Sequence, residues 1–243
     1  MWHHKPDVAA VLMKILAVDT STSAGSVAIV DGLRVLAECN LESAHTHNRR
    51  LLKTVDDLLN HLGCVLEDLD GLAVTLGPGS FTGIRIGIST MKTLAWALDK
   101  PYAGIPTLDA LAAPLHFASF PVCPVLDARK KEVYTASYQP DGQGLCRRTS
   151  PYQVIEPLKL LARIKVPTLF CGDGWLQYRG TFRKELGDLA MELPGPYHLV
   201  RASFVAELAQ QRFAQGPGDD PVTSVPIYVR PSEAELHSTK PSP

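Results

Sequence analysis

Apolar positions along the chain first fall in short β-prone runs and then spread to helical spacing. Ile15–Val18 is the first run, closed by Asp19 and the turn-rich stretch Asp19-Thr20-Ser21-Thr22-Ser23-Ala24-Gly25. Ser26–Val30 is a second run, Asp31-Gly32 carries a two-residue hairpin signal, and 33–38 predicts the returning strand. Leu51, Leu52, Val55, Leu58, Leu59 and Leu62 recur on one helical face, which predicts a helix over 46–62 stopped by Gly63. Leu72–Leu76 predicts a buried strand, Gly77–Gly83 breaks all regularity, and Ile84–Leu98 predicts a second helix ended by Pro101. Tyr102–Ile105 reads as a strand and Thr107 as the N-cap of a helix reaching Leu115.

Beyond that point the pattern predicts a hairpin of 122–126 and 132–138 around Asp127-Ala128-Arg129-Lys130-Lys131. A helix over 157–164, a strand over 166–171, the loop Gly172-Asp173-Gly174, a helix over 203–215 and a short extended element at 226–230 follow. The order β-turn-β-β-α-β-α and then a second mixed unit predicts an α/β protein with helices on a mixed sheet. The expected division is an N-terminal extension at 1–12, one unit at 13–106, a second at 107–231 and a flexible tail at 232–243. Met13 is a candidate original start.

The 243 residues suffice for one large or two small units, and a formal charge of −1 gives no global attraction to nucleic acid. Any RNA contact therefore needs a local patch or a partner. Cys39, Cys64, Cys123, Cys146 and Cys171 are odd in number and lack C-x-x-C spacing, which predicts reduced thiols and a cytoplasmic location. No apolar run is long enough to span a bilayer.

Two segments could carry chemistry. Between two strands, backbone N–H groups and the hydroxyls of Thr20, Ser21, Thr22 and Ser23 could converge on a phosphate, with Asp19 placing a metal-bound water; a plain Ser/Thr-rich turn has the same composition. Gly77 to Gly83 leads into a helix N-terminus that favours anions, and its glycines permit positive φ and close backbone approach. It is neither a Walker A loop nor G-x-G-x-x-G, and a tight strand-to-helix connector would look the same.

The run Ile15-Leu-Ala-Val-Asp19-Thr-Ser-Thr with Ser26-Val-Ala, and then Gly77-Pro-Gly-Ser-Phe-Thr-Gly-Ile-Arg85-Ile-Gly, resembles the signature of the TsaB (YeaZ) family. Leu126-Asp-Ala-Arg129, Glu132-Val-Tyr134, Gly172-Asp-Gly and Pro226-Ile-Tyr-Val-Arg230 sit where that family has similar segments. Pro78, Ser80, Phe81, Thr82, Gly83, Arg85, Asp127 and Arg129 are read as structural marks of the signature. The resemblance implies the actin-like ATPase fold of sugar kinases and heat-shock chaperones, with two related domains and a cleft. It leaves Asp19, Thr20, Ser21, Thr22, Gly77 and Gly79 as a vestigial or interface-shared nucleotide site.

A paralogue in that family, TsaD, is the transferase and carries a metal-binding H-x-x-x-H segment. The corresponding stretch here places Thr107 and Leu111 at the two ligand positions, and leucine cannot ligate. No two of the eight histidines stand four residues apart. The second phosphate turn, glycine-rich in actin-like ATPases, is Asp127-Ala128-Arg129-Lys130-Lys131; its basic cluster is read first as a solvated hairpin tip. The resemblance therefore implies a non-catalytic scaffold in tRNA threonylcarbamoyladenosine formation. No cofactor is expected in this chain, with ATP and a metal ion on partner subunits.

The expected partners are a TsaD-like paralogue, a TsaE-like ATPase, a second copy of the chain when alone, and tRNA through the complex. The helix over 84–98 has apolar or small residues on most sides. Leu51, Val55, Leu58, Ile84, Gly87, Ile88, Met91 and Ala95 are assigned to the partner interface, and Met91→Glu is expected to abolish pairing without unfolding the monomer. Cover by the chain's own second domain is the competing reading. A metallopeptidase, a small-molecule kinase on the same fold and a stand-alone tRNA binder are the functional alternatives.

Overall fold

The computed structural model describes residues 12–42, 50–142 and 144–230. The expected extension (up to residue 11), the helix start at 46–49, His45, His47 and the 232–243 tail lie outside the described residues. Strands β1 (Lys14–Asp19), β2 (Ala24–Asp31), β3 (Arg34–Glu42), β4 (Gly71–Thr75) and β5 (Tyr102–Ile105) form a sheet ordered β3-β2-β1-β4-β5. The pairs β1/β2 and β2/β3 are antiparallel, while β1/β4 and β4/β5 are parallel.

The second sheet repeats this plan. It contains β6 (Val122–Asp127), β7 (Val133–Thr135), β8 (Tyr138–Pro140), β9 (Cys146–Arg148), β10 (Gln153–Ile155), β11 (Thr168–Cys171) and β12 (Ala190–Glu192). Its main path is β10-β7-β6-β11-β12, with β8 and β9 as a side hairpin. Pairing again runs antiparallel on one side of β6 and parallel on the other. The strand predicted over 132–138 is split into β7 and β8, so Tyr138 pairs with Val122 at the opposite end of β6 from Val133.

Among the described residues, six α-helices cover the sheets: α1 (Leu51–Leu62), α2 (Phe81–Leu98), α3 (Thr107–Ala112), α4 (Pro157–Leu161), α5 (Asp173–Leu186) and α6 (Ala202–Phe213). Alternation along β1 sets the layers, because successive side chains leave opposite faces. Leu16 and Val18 join Leu51, Val55, Leu59, Ile84, Ile88, Met91 and Ala95 under α1 and α2. Ile15 and Ala17 join Leu108, Leu111, Val205 and Ala209 in a middle layer that also holds Val122 and Leu126. The far face of the second sheet packs on α4 and α5 through Phe170, Trp175 and Phe182. Trp175 stacks on Phe170 at 5.1 Å and meets Phe182 edge-on at 5.3 Å.

This layering corrects the interface assignment. Ile84, Gly87, Ile88, Met91 and Ala95 face the chain's own sheet together with Leu51 and Val55, and Leu58 is half-buried. The apolar stripe of α2 is the stripe that packs on β4 and β1, so it is not available to a partner. The outward residues are instead Arg85, Ser89, Thr93, Trp96 and Ala97.

Other boundaries shift for local reasons. Helix α2 begins at Phe81 because Ser80 caps it, its Oγ accepting from the Gly83 N–H at 3.3 Å. Thr107 is the first helical residue of α3 rather than its cap, which is Pro106. Helix α5 was not predicted, although Trp175, Tyr178, Phe182 and Leu186 recur at helical spacing. Residues 226–230 form no strand. Among the described residues no helix is long and apolar enough to cross a membrane.

Helix α6 returns from the second half of the sequence to pack on β1, β2, β4 and β5. Polar contacts fix its start. The Ala202 N–H donates to Ser26 Oγ at 2.8 Å, and the Ser203 N–H and Oγ donate to Glu38 Oε1 at 3.0 and 2.8 Å. Arg201 pairs with the other oxygen of Glu38. Burial alone would raise the Glu38 carboxyl, but the bonds from Arg201 and Ser203 and the Arg201 charge together hold it below its usual value.

The β6–β7 connection is strained. Arg129, Lys130 and Lys131 have φ of 58°, 51° and 61°. The Glu132 N–H donates to Arg129 O at 2.9 Å, which makes Lys130 and Lys131 the central pair of a mirror-image hairpin turn, where glycine or asparagine is usual. A left-handed conformation costs a residue with a Cβ about 1–2 kcal/mol.

Two predictions follow from these contacts. Lys131→Gly removes that steric cost but gains about 0.4–1 kcal/mol of unfolded-chain entropy; the balance predicts stabilisation of roughly 0.5–1 kcal/mol in urea unfolding, against destabilisation if the turn were unstrained. A carboxyl with a depressed folded pKa stabilises above its unfolded pKa and loses that contribution as pH falls through the folded value. Glu38→Gln should therefore cost about 1–3 kcal/mol at neutral pH and flatten the stability loss of the parent below about pH 4.3.

Candidate functional site

Strands β1 and β6 occupy equivalent places in the two sheets, and each ends in an aspartate that bonds its own turn. Asp19 is fully buried, and its Oδ1 accepts from the Ser21 N–H at 3.1 Å, Ser21 Oγ at 2.6 Å and Thr75 Oγ1 at 2.6 Å. Asp127 Oδ1 accepts from the Arg129 N–H at 2.9 Å, while Oδ2 pairs with the Arg129 guanidinium at 3.1 Å. Both are Asx-type turns, in which a short carboxylate organises the backbone two residues on.

The hydroxyls of the first turn serve the fold. Thr20 Oγ1 donates to Gly83 O at 2.7 Å, Ser21 Oγ to Asp19, and Thr22 Oγ1 to Ala24 O at 2.9 Å. Thr20 and Ser21 are buried, so the expected ring of hydroxyls around a phosphate is replaced by inward-directed bonds. The Oδ1 of Asp19 is thus tied to this turn and to β4.

The glycine-rich loop explains why. A Cβ on Gly79 would overlap Ser21 O, one on Gly83 would overlap Thr20 O, and one on Gly87 would overlap Thr20 Oγ1. The Ser80 N–H donates to Ser21 O at 2.7 Å. The close approach that glycine permits is thus to the chain's own first turn. Gly77, joined to Pro78 by a cis peptide, has φ of 100° and offers its carbonyl to the Thr107 N–H at 2.8 Å, away from the cleft.

Between the two turns lies a cleft of roughly 400 Å³. Ser21, Thr22, Ser23, Gly79, Ser80 and Phe81 form one wall; Asp127, Ala128, Arg129, Lys130, Tyr134 and Asp173 form the other, with Arg230 also at the site. The basic cluster is a solvated hairpin tip, with Arg129, Lys130 and Lys131 all exposed, and its Arg129 and Lys130 also border the cleft. Sequence reasoning placed neither Tyr134, Asp173 nor Arg230 at the cleft. Burial raises the Asp173 carboxyl above its usual value, and the bond it accepts from the Asp127 N–H at 3.0 Å pulls against that shift.

Phe81, Thr82 and Arg85 lie on the exposed side of the first turns of α2. The Arg85 guanidinium sits 3.9 Å from the centre of the Phe81 ring, and its Nε donates to the Tyr228 hydroxyl at 3.0 Å. Tyr228 stacks on Phe81 at 5.4 Å. These signature residues hold the end of the chain against the cleft mouth.

Thr107 and Leu111 are the positions that the resemblance sets against the paralogue's metal ligands. Thr107 and Leu111 are both buried in the middle layer, and Leu111 packs in its apolar cluster. Among the described residues, no group of three or more histidine, cysteine, aspartate or glutamate side chains is placed for a metal. The five cysteines form no disulfide, and burial pushes the Cys123 thiol up to about 11.

The family model described as TsaD, tRNA N6-adenosine threonylcarbamoyltransferase, matches residues 41–237. The tRNA threonylcarbamoyladenosine biosynthesis protein TsaB of Bacillus subtilis is 34% identical over 227 residues, covering 92% of this chain and 96% of that protein. The structure of YeaZ from Pseudomonas aeruginosa superposes with a TM-score of 0.75 at 32% identity, covering 89% of this chain and 100% of that one. At 11% identity, the activator of 2-hydroxyisocaproyl-CoA dehydratase from Clostridium difficile, solved with bound ADPNP, has a TM-score of 0.52 and covers 86% of this chain and 100% of that chain, a likeness of fold alone. The chain belongs to the TsaB (YeaZ) family, built on the actin-like ATPase fold.

Proposed function

We propose that this chain is a scaffold subunit in the formation of threonylcarbamoyladenosine in tRNA, docking on a TsaD-like transferase and helping to recruit a TsaE-like ATPase. The transfer chemistry, the metal ion and the ATP belong to those partners, and tRNA is reached through the assembled complex. Threonylcarbamoyl would be transferred on the partner, to the adenosine N6 that the matching family model names.

The observation that carries the reading is the outward face of α2. Trp96 is 83% exposed, and Ser89, Thr93 and Ala97 beside it are small and uncharged. Leu52 on α1 is also more than half exposed. A large, flat aromatic left in water among small neighbours lets another helix approach closely, and tryptophan is enriched among residues that dominate interface energetics. The buried Thr107 and Leu111 at the family's metal positions support a partner role over a catalytic one.

Co-purification with the TsaD homologue of the same organism, followed by a reconstituted modification assay with and without this chain, tests the proposal. Trp96→Asp should weaken the complex about 30-fold, equivalent to about 2 kcal/mol at an interface centre, and lower tRNA modification while leaving the thermal melt unchanged. Met91→Glu is the contrasting variant: a carboxylate forced into the α2–sheet core should cost more than ~4 kcal/mol and unfold the chain itself. Modification that proceeds equally well without the chain would rule the scaffold role out.

A further inference from the structure

The chain after α6 runs back over the first lobe and is fastened along its course. The Asp219 N–H donates to Tyr102 O at 2.7 Å, and its Oδ2 accepts from the Gly104 N–H at 2.8 Å. Lys92 Nζ donates to Ser224 O, and the Ile227 N–H donates to Leu76 O at 2.8 Å. Tyr228 is then held by Phe81 and Arg85. Each of these partners belongs to β4, β5, α2 or the loops beside them, so the whole strap moves with the first sheet.

Arg230 leaves that lobe. Its Nη1 donates to Ala128 O at 3.2 Å, and its Nη2 pairs with Glu132. Both acceptors are in the strained β6–β7 connection on the opposite cleft wall. A guanidinium suits this task because its planar fork meets a carbonyl and a carboxylate together, which a lysine ammonium does not reproduce. The same contacts brace Ala128 and Glu132 on either side of the three left-handed residues.

The base of the cleft is held differently. There the two sheets share one apolar layer, in which Ala17 and Ala28 of the first lobe pack with α3 and α6 and with Val122, Leu126 and Tyr138 of the second. A close-packed layer resists separation but tolerates small hinge and shear motions. The mouth is lined by polar, exposed side chains and is spanned by a polar contact.

We propose that residues 219–230 form a latch that sets the opening of the interlobe cleft, with Arg230 as the group that closes it. Engagement of Arg230 by Glu132 and Ala128 holds the basic wall against the first turn. Any anion or partner carboxylate that captures the guanidinium, or any cation that captures Glu132, releases the lobes. The device needs no nucleotide chemistry in the cleft and does not depend on the scaffold reading.

The test uses the full chain alone. Donor and acceptor dyes are attached through encoded azide-bearing residues at the exposed positions 56 on α1 and 184 on α5, which leaves the native cysteines untouched. Arg230→Ala and Glu132→Gln should each lengthen the mean distance by several ångströms and widen its distribution, with Arg230→Lys between them and the parent. Raising the salt concentration should move the parent toward the variants and leave Glu132→Gln unchanged, since the released pair is the screened one. Hydrogen exchange over 128–132, measured in parallel, separates a local brace from a latch. Faster exchange there with an unmoved distance would overturn the proposal, as would unchanged distances in both variants. Should Arg230→Ala fail to fold by circular dichroism, Glu132→Gln alone decides.

Discussion

Helix α2 lies against the turn after β1 at a distance that no side chain would permit. The carbonyl oxygens of Thr20 and Ser21 occupy the space that a Cβ on Gly83 or Gly79 would need. Backbone is a stiff obstacle, so a larger residue at either position would have to displace the helix itself. With it would move the Thr20–Gly83 bond, the Ser80 contact to Ser21, and the seating of Ile84, Ile88 and Met91 on the sheet. One constraint thus fixes the first cleft wall, the largest helix of the first lobe and the outward direction of Trp96.

The second lobe solves the same problem with the same means. Gly172 and Gly174 let the start of α5 pack against the backbone of Val125 and Leu126, as Gly79 and Gly83 do for α2. Asp127 closes its turn as Asp19 closes the first. The two halves differ at the turn itself. In the first, small hydroxyl residues fold inward; in the second, Arg129 projects from a left-handed backbone with its side chain 82% exposed. The first wall of the cleft is thus lined by small residues of a tightly bonded turn, and its second wall carries long cationic side chains.

The sequence made the first sheet and strands β6, β7 and β11 legible because those strand cores are β-prone and bounded by turn residues, whereas β9, β10 and β12, three residues each, are too short to show a pattern and were not read. It made α1 and α2 legible because their apolar positions repeat at helical spacing. Periodicity does not say which object the stripe faces. Ile84, Ile88 and Met91 were read toward a partner, and they face β1 and β4, because a helix that covers its own sheet displays the same stripe. Helix α5 was missed because Gly172-Asp173-Gly174 reads as a loop, whereas Gly172 caps the helix and Asp173 and Gly174 are already inside it. Arg230 was visible as part of a motif, but its reach to Ala128 and Glu132 spans about a hundred residues of chain, and no local pattern encodes that.

Helix α6 has a bearing on how the polypeptide is made. Its side chains, from Ala202 to Ala209, cover the inner face of a sheet whose strands all precede residue 106. During synthesis that sheet emerges first, and one of its faces stays only partly covered, by α3 and then the second sheet, until α6 has left the ribosome. The early half therefore receives its last layer of apolar cover from a segment about a hundred residues downstream, in contrast to domains that complete their own core before the next is made.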